Sequence, residues 1–350
     1  MGWNMEKLLN LQQKIVPELL EVLDVRYTIL KNIKYREPIG RRLLSTIVNL
    51  SERVLRSETD FLKMQGLIDV KSSGMYITEE GEEVFNGLKA FMKEISGLNS
   101  IEEELKELLK VREVIVINGD VKEDNTLYTE LGKAAANYLK SIIKDNTTIS
   151  LTGGRTVKEV IDNFVPITKF KNIRILPGRG GMGKEIEIQS NTLVENLANK
   201  LGATYEMLHI PDNISSDSFK ALIKESDIKE TFENISKSNI LIHGIGLAKE
   251  MCDKRSLCKE VKDRILEAGA IGEAYGHYFN NKGEIVYSMP SIGITKDRIK
   301  NIPNIIAVAA GVEKAEAIMA IQKGKENSTL VTDEATAKEI LKLFSKEVKY

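Results

Sequence analysis

Residues 148–164 read TISLTGGRTVKEVIDNF. An apolar, β-prone run from Ile149 to Leu151 meets the pair Gly153-Gly154, and a helical pattern begins at Thr156. A strand, a tight loop and a helix start form an arrangement that cradles phosphate, because glycines expose backbone N–H groups and a helix N-terminus favours an anion. Outward from this stretch the pattern recurs. Short β-rich runs at 112–119, 148–151, 173–176, 239–244, 304–311 and 328–332 alternate with helical stretches near 127–144, 156–164, 185–201, 217–236, 256–267, 312–322 and 334–345. Such alternation predicts a Rossmann-like α/β domain, a parallel sheet covered on both faces, with ligand loops at the carboxyl ends of strands.

The totals set bounds on this reading. At 350 residues the chain is multidomain, with 42% hydrophobic and 29% charged residues, ordinary for a globular protein. A formal net charge of −1 confines any nucleic-acid site to a local patch. No apolar run approaches the ~20 residues of a membrane span. The start MGWNMEKLLNLQQ lacks a signal-peptide core, and Glu6 stands where myristoylation needs Ser or Thr. Cys252 and Cys258 have no second Cys/His pair nearby, which fits reduced thiols rather than zinc or a disulfide. The expectation is a cytoplasmic protein with no metal and no cofactor.

Before residue 111 the chain reads as helical. Leu8, Leu11, Ile15, Leu19, Leu20 and Leu23 form a stripe over 5–23; Asp24 is placed to cap a second helix, which Pro38 ends. From 82 to 109 apolar residues recur at steps of three and four, interrupted by Gly97 and Asn99, and Ser100 with Glu103 reads as a capping box that restarts the helix. That segment is either a self-associating linker or a helix lying on its own domain. The expected division is 1–92, a linker helix at 93–110, and 111–350.

Residues 39–81, IGRRLLSTIVNLSERVLRSETDFLKMQGLIDVKSSGMYITEEG, parse as helix, turn, helix and hairpin. Ser51 suits the N-cap of the second helix, whose apolar positions are Val54, Leu55, Phe61 and Leu62. That leaves Glu52, Arg53, Arg56 and Ser57 displayed near its N-terminal end, where recognition helices touch base edges. Arg53 or Arg56 suits a bidentate contact to guanine. The strands around Ser72-Ser73-Gly74 would be a wing. From 34 to 71 there are eight Lys or Arg, Arg41, Arg42 and Lys71 among them, against five Asp or Glu, a local excess of three positive charges. Each arginine alone would pass as a solvated face; helix, turn, helix and wing together point to double-stranded DNA.

This stretch resembles the winged helix of the central glycolytic genes regulators, members of the SorC class of sugar-responsive repressors. The family usually has Gly in the turn where this chain has Asn49, and Asn tolerates the left-handed conformation that such a turn needs.

Residues 173–189, IRILPGRGGMGKEIEIQ, carry two further patterns. Gly178-x-Gly180-x-x-Gly183 matches a dinucleotide fingerprint, and Gly178-xxxx-Gly183-Lys184 matches a P-loop up to its last position. Both fail in detail. Glu185 replaces the magnesium-holding Ser or Thr, no apolar run ends in a Walker-type acid, Pro177 sits at the tight turn, and Glu206 lies inside ATYEMLHI rather than closing it.

The resemblance extends into this half and implies a fold related to sugar-phosphate isomerases and deaminases. In it Arg179 and Gln189, beside Gly180, grip one phosphate of a sugar. The loop Thr152, Gly153, Gly154, Arg155 and Thr156 holds the other, completed by Lys314 after Gly311; the family has Thr or Ser at Arg155, which here either adds a contact or faces solvent. Glu273 in GAIGEAYGHYF matches the residue that binds sugar hydroxyls, and Gly244 with Gly246 in HGIGLA matches a ligand-lining turn. Arg255 lies in the stretch of a family arginine that reaches the second phosphate, with Lys254 as the alternative.

Isomerases need an acid or base beside the sugar ring. His209, His243 and His277 stand in no recognisable relay, and Gly272 and Gly276 argue against a helix that would bring Glu273 and His277 to one face. The expected function is therefore a homo-oligomeric, dimeric or tetrameric, DNA-binding repressor controlled by a phosphorylated sugar, fructose 1,6-bisphosphate by resemblance. A sugar-phosphate enzyme fused to a DNA-binding domain is the rival, and an adaptor that uses the winged helix on a protein partner is the third reading.

Overall fold

The computed structural model describes residues 14–181, 185–211, 215–290 and 293–347, and the chain divides into two compact units, Met1–Asn99 and Ser100–Tyr350. In the first, α1 (Pro17–Arg36), α2 (Arg41–Ile47) and α3 (Glu52–Met64) precede a hairpin of β1 (Ile68–Lys71) and β2 (Gly74–Ile77), and α4 (Glu79–Ile95) follows. Residues 5–13 of the expected first helix lie outside the described residues. The break expected at Asp24 is absent: α1 runs straight through it. Its inward face, Ile29, Leu30 and Ile33, continues the periodicity into the core, and an exposed Asp costs a helix interior only a few tenths of a kcal/mol.

Leu44, Leu55, Leu62, Ile68, Met75 and Phe85 join that core. Asn49, between α2 and α3, has φ 52°, the left-handed turn its side chain permits. Ser51 caps α3, its Oγ accepting the Val54 N–H at 3.3 Å. The buried positions of α3 are Leu55, Thr59 and Leu62, a 3.6-residue stripe; Val54 is displaced to its flank and is 38% exposed, contrary to the reading of 54, 55, 61 and 62 as one face. Phe61 is half-buried beneath the Arg26 guanidinium, 3.7 Å from its ring centroid.

α5 (Leu98–Leu109) begins before the expected Ser100 cap. Gly97, at φ 69°, makes the break after α4, and burial of Leu98 draws the helix start back to it, leaving Ser100 exposed inside the helix.

The second unit is built on a seven-stranded parallel sheet. Its strands are β3 (Glu113–Ile117), β4 (Thr148–Leu151), β5 (Arg174–Pro177), β6 (Thr204–Tyr205), β7 (Ile240–Gly244), then β12 (Asn304–Val308) and β13 (Ser328–Asp333), in the spatial order β3-β13-β12-β7-β4-β5-β6. The strands were legible as apolar runs because both faces are covered. From β4 the chain steps outward to β5 and β6, then returns to place β7 on the other side of β4. The carboxyl ends of β4 and β7 are thus the topological switch point, where open α/β sheets bind ligands.

Helices α6 (Leu127–Ile142), α7 (Arg155–Asp162) and α8 (Ser190–Leu201) pack on this sheet through Leu131, Leu139, Val157, Val160, Leu193 and Leu197. The expected helix at 217–236 is two, α9 (Ser216–Leu222) and α10 (Ser226–Ile235). A second, four-stranded antiparallel sheet comes from residues read as loop. After β8 (Gly246–Leu247) come α11 (Ala248–Lys254) and α12 (Lys259–Glu267), then β9 (Gly272–Ala274), β10 (His277–Phe279) and β11 (Ile285–Ser288), in the order β11-β10-β9-β8. Following α13 (Lys296–Ile299), α14 (Ala315–Gln322) backs this sheet, and α15 (Glu334–Glu347) ends the described chain. No helix among the described residues is long and apolar enough to cross a membrane.

β13 runs one residue past the expected run and ends in buried Asp333, so one strand does close on an acid. It accepts the Val121 N–H at 2.9 Å, and three strands separate it from β5, whose loop carries the P-loop-like glycines. A Walker acid must reach that loop; this one caps a turn.

Candidate DNA-binding surface and effector crevice

In the N-terminal unit Ser51, Glu52, Arg53, Arg56 and Ser57 are all exposed on the first turns of α3. Arg42 faces Glu52 at 3.7 Å and Arg41 faces Asp60 at 3.2 Å, both exposed pairs of little energetic weight. Arg53 and Arg56, one turn apart, join no ion pair among the described residues. Lys71 stands at the hairpin end, its Nζ 4.8 Å from the Tyr76 ring centroid.

In the second unit the expected effector residues converge on the switch point. Thr152 leaves β4 with its N–H on Ile242 C=O at 3.0 Å. Gly153 packs against the backbone of Ile188 and Ser190, which brings Gln189 alongside the loop. Gly154 departs from the expectation of an open amide: its N–H donates to Ile188 C=O at 2.9 Å. The amides that precede the first intrahelical bond of α7, from Lys158 N–H to Gly154 C=O, are instead those of Arg155, Thr156 and Val157. Thr156 Oγ1 lies where a Cβ on Gly244 would press at 3.0 Å, so Gly244 makes room for that hydroxyl. Arg155 points outward, 80% exposed, 3.7 Å from Glu185.

Arg179 and Gly180, both buried, follow β5. Gln189 precedes α8 and donates to Glu185 C=O at 3.3 Å. Gly183 and Lys184, the last residues of the two nucleotide-like patterns, lie outside the described residues. Lys314 closes the short 3-10 turn Val312–Lys314 after β12, one residue ahead of the α-helix rather than within its first turn. Burial pulls its ammonium below the usual lysine range, with Glu313 opposing and Lys254 adding to the shift. Lys314, the 152–156 loop and Arg179 thus follow β12, β4 and β5, and Gly244 ends β7, four neighbouring strands.

The antiparallel sheet supplies the rest. Glu273 on β9 receives Arg179 Nη1 at 3.3 Å, Arg255 Nη2 at 3.0 Å and the Gly276 N–H at 2.6 Å, all on Oε1. Both guanidinium side chains and the carboxylate are at most 6% exposed. Arg255 is held further by Tyr278 Oη at 3.2 Å. Burial alone would raise the Glu273 carboxyl, but Arg255 and Arg179, with the Gly276 amide, hold it below the ordinary glutamate range. Guanidinium forks of this kind are donors suited to phosphate oxygens. Arg255, placed in sequence only by its stretch, is therefore in the cluster.

Burial lowers His243 and His277 to about 4, so both imidazoles are neutral at neutral pH. Their Nδ1 atoms meet Gly244 C=O at 2.9 Å and Ser288 Oγ at 2.8 Å. Sequence reasoning missed Gly276, Tyr275 and Lys325. The dipeptide Tyr275-Gly276 makes a two-residue hairpin turn that Gly272-Glu273-Ala274, poor in strand-forming residues, did not announce.

Residues 22–92 match the model of the CggR N-terminal DNA binding domain, and residues 93–342 match the Sugar-bind model of sugar-binding domains. The chain is 40% identical over 338 residues to the central glycolytic genes regulator of Bacillus subtilis (strain 168), covering 97% of this chain and 99% of the relative. It is 39% identical over 342 residues to that of Priestia megaterium (strain DSM 319 / IMG 1521), covering 97% and 100%. The full-length sorbitol operon regulator SorC from Klebsiella pneumoniae shares the fold, with a TM-score of 0.64 at 16% identity over 91% of this chain and 99% of that one. A DNA-binding domain followed by a sugar-binding α/β domain, matched nearly end to end by transcription regulators rather than enzymes, leads to one conclusion: the chain belongs to the family of central glycolytic genes regulators.

Proposed function

We propose that this protein is a cytoplasmic, homo-oligomeric repressor of glycolytic genes that binds operator DNA through a winged helix-turn-helix and releases it under control of fructose 1,6-bisphosphate. The observation that carries this reading is the arrangement at the carboxyl ends of β12, β7, β4 and β5, which brings the 152–156 loop and Lys314 to the same sheet end as Arg179 of the buried Arg179–Glu273–Arg255 cluster. One phosphate takes the amides and hydroxyls of the loop together with Lys314. The other takes Arg179, Arg255 and Gln189. Glu273 Oε2, away from the three bonds on Oε1, accepts a sugar hydroxyl. In the N-terminal domain Arg53 and Arg56 read bases, while Arg41, Arg42 and Lys71 meet phosphates. Residues 93–110 link that domain to the effector domain, whose fold relates to sugar-phosphate isomerases. Coupling requires the effector to bind the operator-bound and released assemblies with different affinity.

A thermal-shift panel tests this: fructose 1,6-bisphosphate, fructose 6-phosphate, glucose 6-phosphate, dihydroxyacetone phosphate, ATP with magnesium, and NAD. A ligand at 100 times its Kd stabilises by about 2.7 kcal/mol, a visible shift. The expected result is a shift with a sugar phosphate that is recovered unchanged. A shift with ATP or NAD alone would sink the assignment.

A further inference from the structure

Tyr275 and Gly276 make the two-residue turn of the β9–β10 hairpin: Ala274 pairs with His277, and the turn residues have φ 39° and 88°. Positive φ at both positions is the type I′ turn. Glycine adopts it freely, but a tyrosine is strained there and persists only where its surroundings hold it. The Tyr275 ring is edge-packed by His243 at 4.8 Å, His277 at 5.9 Å and Phe279 at 6.0 Å. Its Oη lies 2.5 Å from Lys325 Nζ, which sits 5.2 Å from the ring centroids of both Tyr275 and Phe279.

Lys325 belongs to the loop between α14 and β13. That loop is tied to the C-terminal end of α5: the Gly324 N–H donates to Leu109 C=O at 2.7 Å, and the Arg112 N–H donates to Ser328 C=O at 2.8 Å. One side chain therefore spans from the turn beside Arg179 and Glu273 to the loop that holds the end of the helix connecting the two units.

We propose that Lys325 is a positioning residue for the effector crevice, its contact with Tyr275 setting the turn that seats Glu273 and Arg179 and tying that turn to the end of α5. The proposal rests on the reading of this domain as a sugar-phosphate sensor. Tyr275 and His277 face the amine from the hairpin, His243 from β7, and Glu273 lies beyond Tyr275 on β9. Burial brings the Lys325 amine down to about 7, while both imidazoles titrate at about 4 and Glu273 stays ionised between its arginines. Lys325 is the member of this group that titrates near neutrality. A bisphosphate entering the crevice favours its charged form, so binding near pH 7.5 draws a proton onto it.

The test is calorimetric titration of the full chain with fructose 1,6-bisphosphate at pH 7.5 in buffers of different ionisation heat. We expect Lys325→Met to weaken binding about tenfold and to bind with fewer protons taken up than the wild type. Tyr275→Phe, which keeps the ring and removes the contact, carries the same expectation of weakened binding if Lys325→Met fails to fold. The double variant should be no weaker than the poorer single one. A wild type that binds, with Lys325→Met matching it in affinity and proton count, overturns the proposal alone. A wild type that binds neither this nor the other sugar phosphates overturns the sensor reading and the proposal with it.

Discussion

Gly276 yields to Arg179 the space its own side chain would occupy: a Cβ at residue 276, where φ is 88°, would collide with the Arg179 guanidinium. The turn and the buried arginine are thus mutually dependent. Gly276→Ala is expected to displace Arg179 and to add backbone strain, costing about 1–3 kcal/mol of stability from overpacking alone. Denaturant unfolding and effector titration should fall together; an Ala variant with native stability and native affinity would contradict the geometry.

Glu273 makes the cluster sensitive to acid. Its carboxyl titrates below the ordinary glutamate range in the folded chain, so the unfolded chain binds more protons as pH falls into that range. The stability it contributes is present at neutral pH and is lost as pH drops through its lowered folded value. Glu273→Gln removes the carboxylate from two buried ion pairs, a loss of about 3–5 kcal/mol for a broken buried pair. Melting temperature against pH should fall in acid for the wild type and less so for the variant.

Lys325 gives a slope of the same sign in a different pH window. Its amine sits at about 7 in the folded chain and in the usual lysine range when unfolded. Between those values the unfolded state holds the extra proton, so stability rises with pH. Lys325→Met should flatten that rise, measured as the difference between wild-type and variant melting curves from pH 7 to 10.

On the DNA side, Arg53→Ala or Arg56→Ala is expected to weaken operator binding by about 1–3 kcal/mol per lost bidentate contact and to relax base preference. Effector affinity should not change. Arg41→Ala, Arg42→Ala or Lys71→Ala should instead weaken binding across sequences and lower the salt slope by roughly one. Binding isotherms at several salt concentrations separate the two classes, and operator affinity unchanged by both α3 variants would remove α3 from the interface.

The joint variant Lys314→Ala with Arg179→Ala should keep DNA binding and lose the response to sugar bisphosphate. A mobility shift with and without effector reads this directly; normal release would place the site elsewhere.

The parallel strands were legible because each is a short apolar run covered on both faces. β6 was not, since two exposed residues, Thr204 and Tyr205, carry no pattern. The β9–β10 hairpin was hidden for a related reason: its strands of three residues are buried throughout, so no alternation shows. In the crevice, the loop at 152–156 was readable from glycines between a strand and a helix. Arg179, Gln189 and Glu273 needed the family likeness, because nothing local marks their role. The link between Lys325 and Tyr275 joins positions 50 residues apart and follows only from folding. Asp24 and Ser100 were misread as caps because capping preference is a local quantity, and burial of Ile29 and Leu98 outweighed it.

The meeting of Arg179, Arg255 and Gly276 on a single oxygen of Glu273 also bears on how such a sensor changes its taste. The residue assigned to read the sugar is the same one that anchors both arginines. Drift toward another effector at position 273 therefore disturbs the folded state at once, and has to be accompanied by a change at one of the arginines. Positions on the outer side of the crevice, such as exposed Arg155, carry no such debt, and are where related sensors can diverge one substitution at a time.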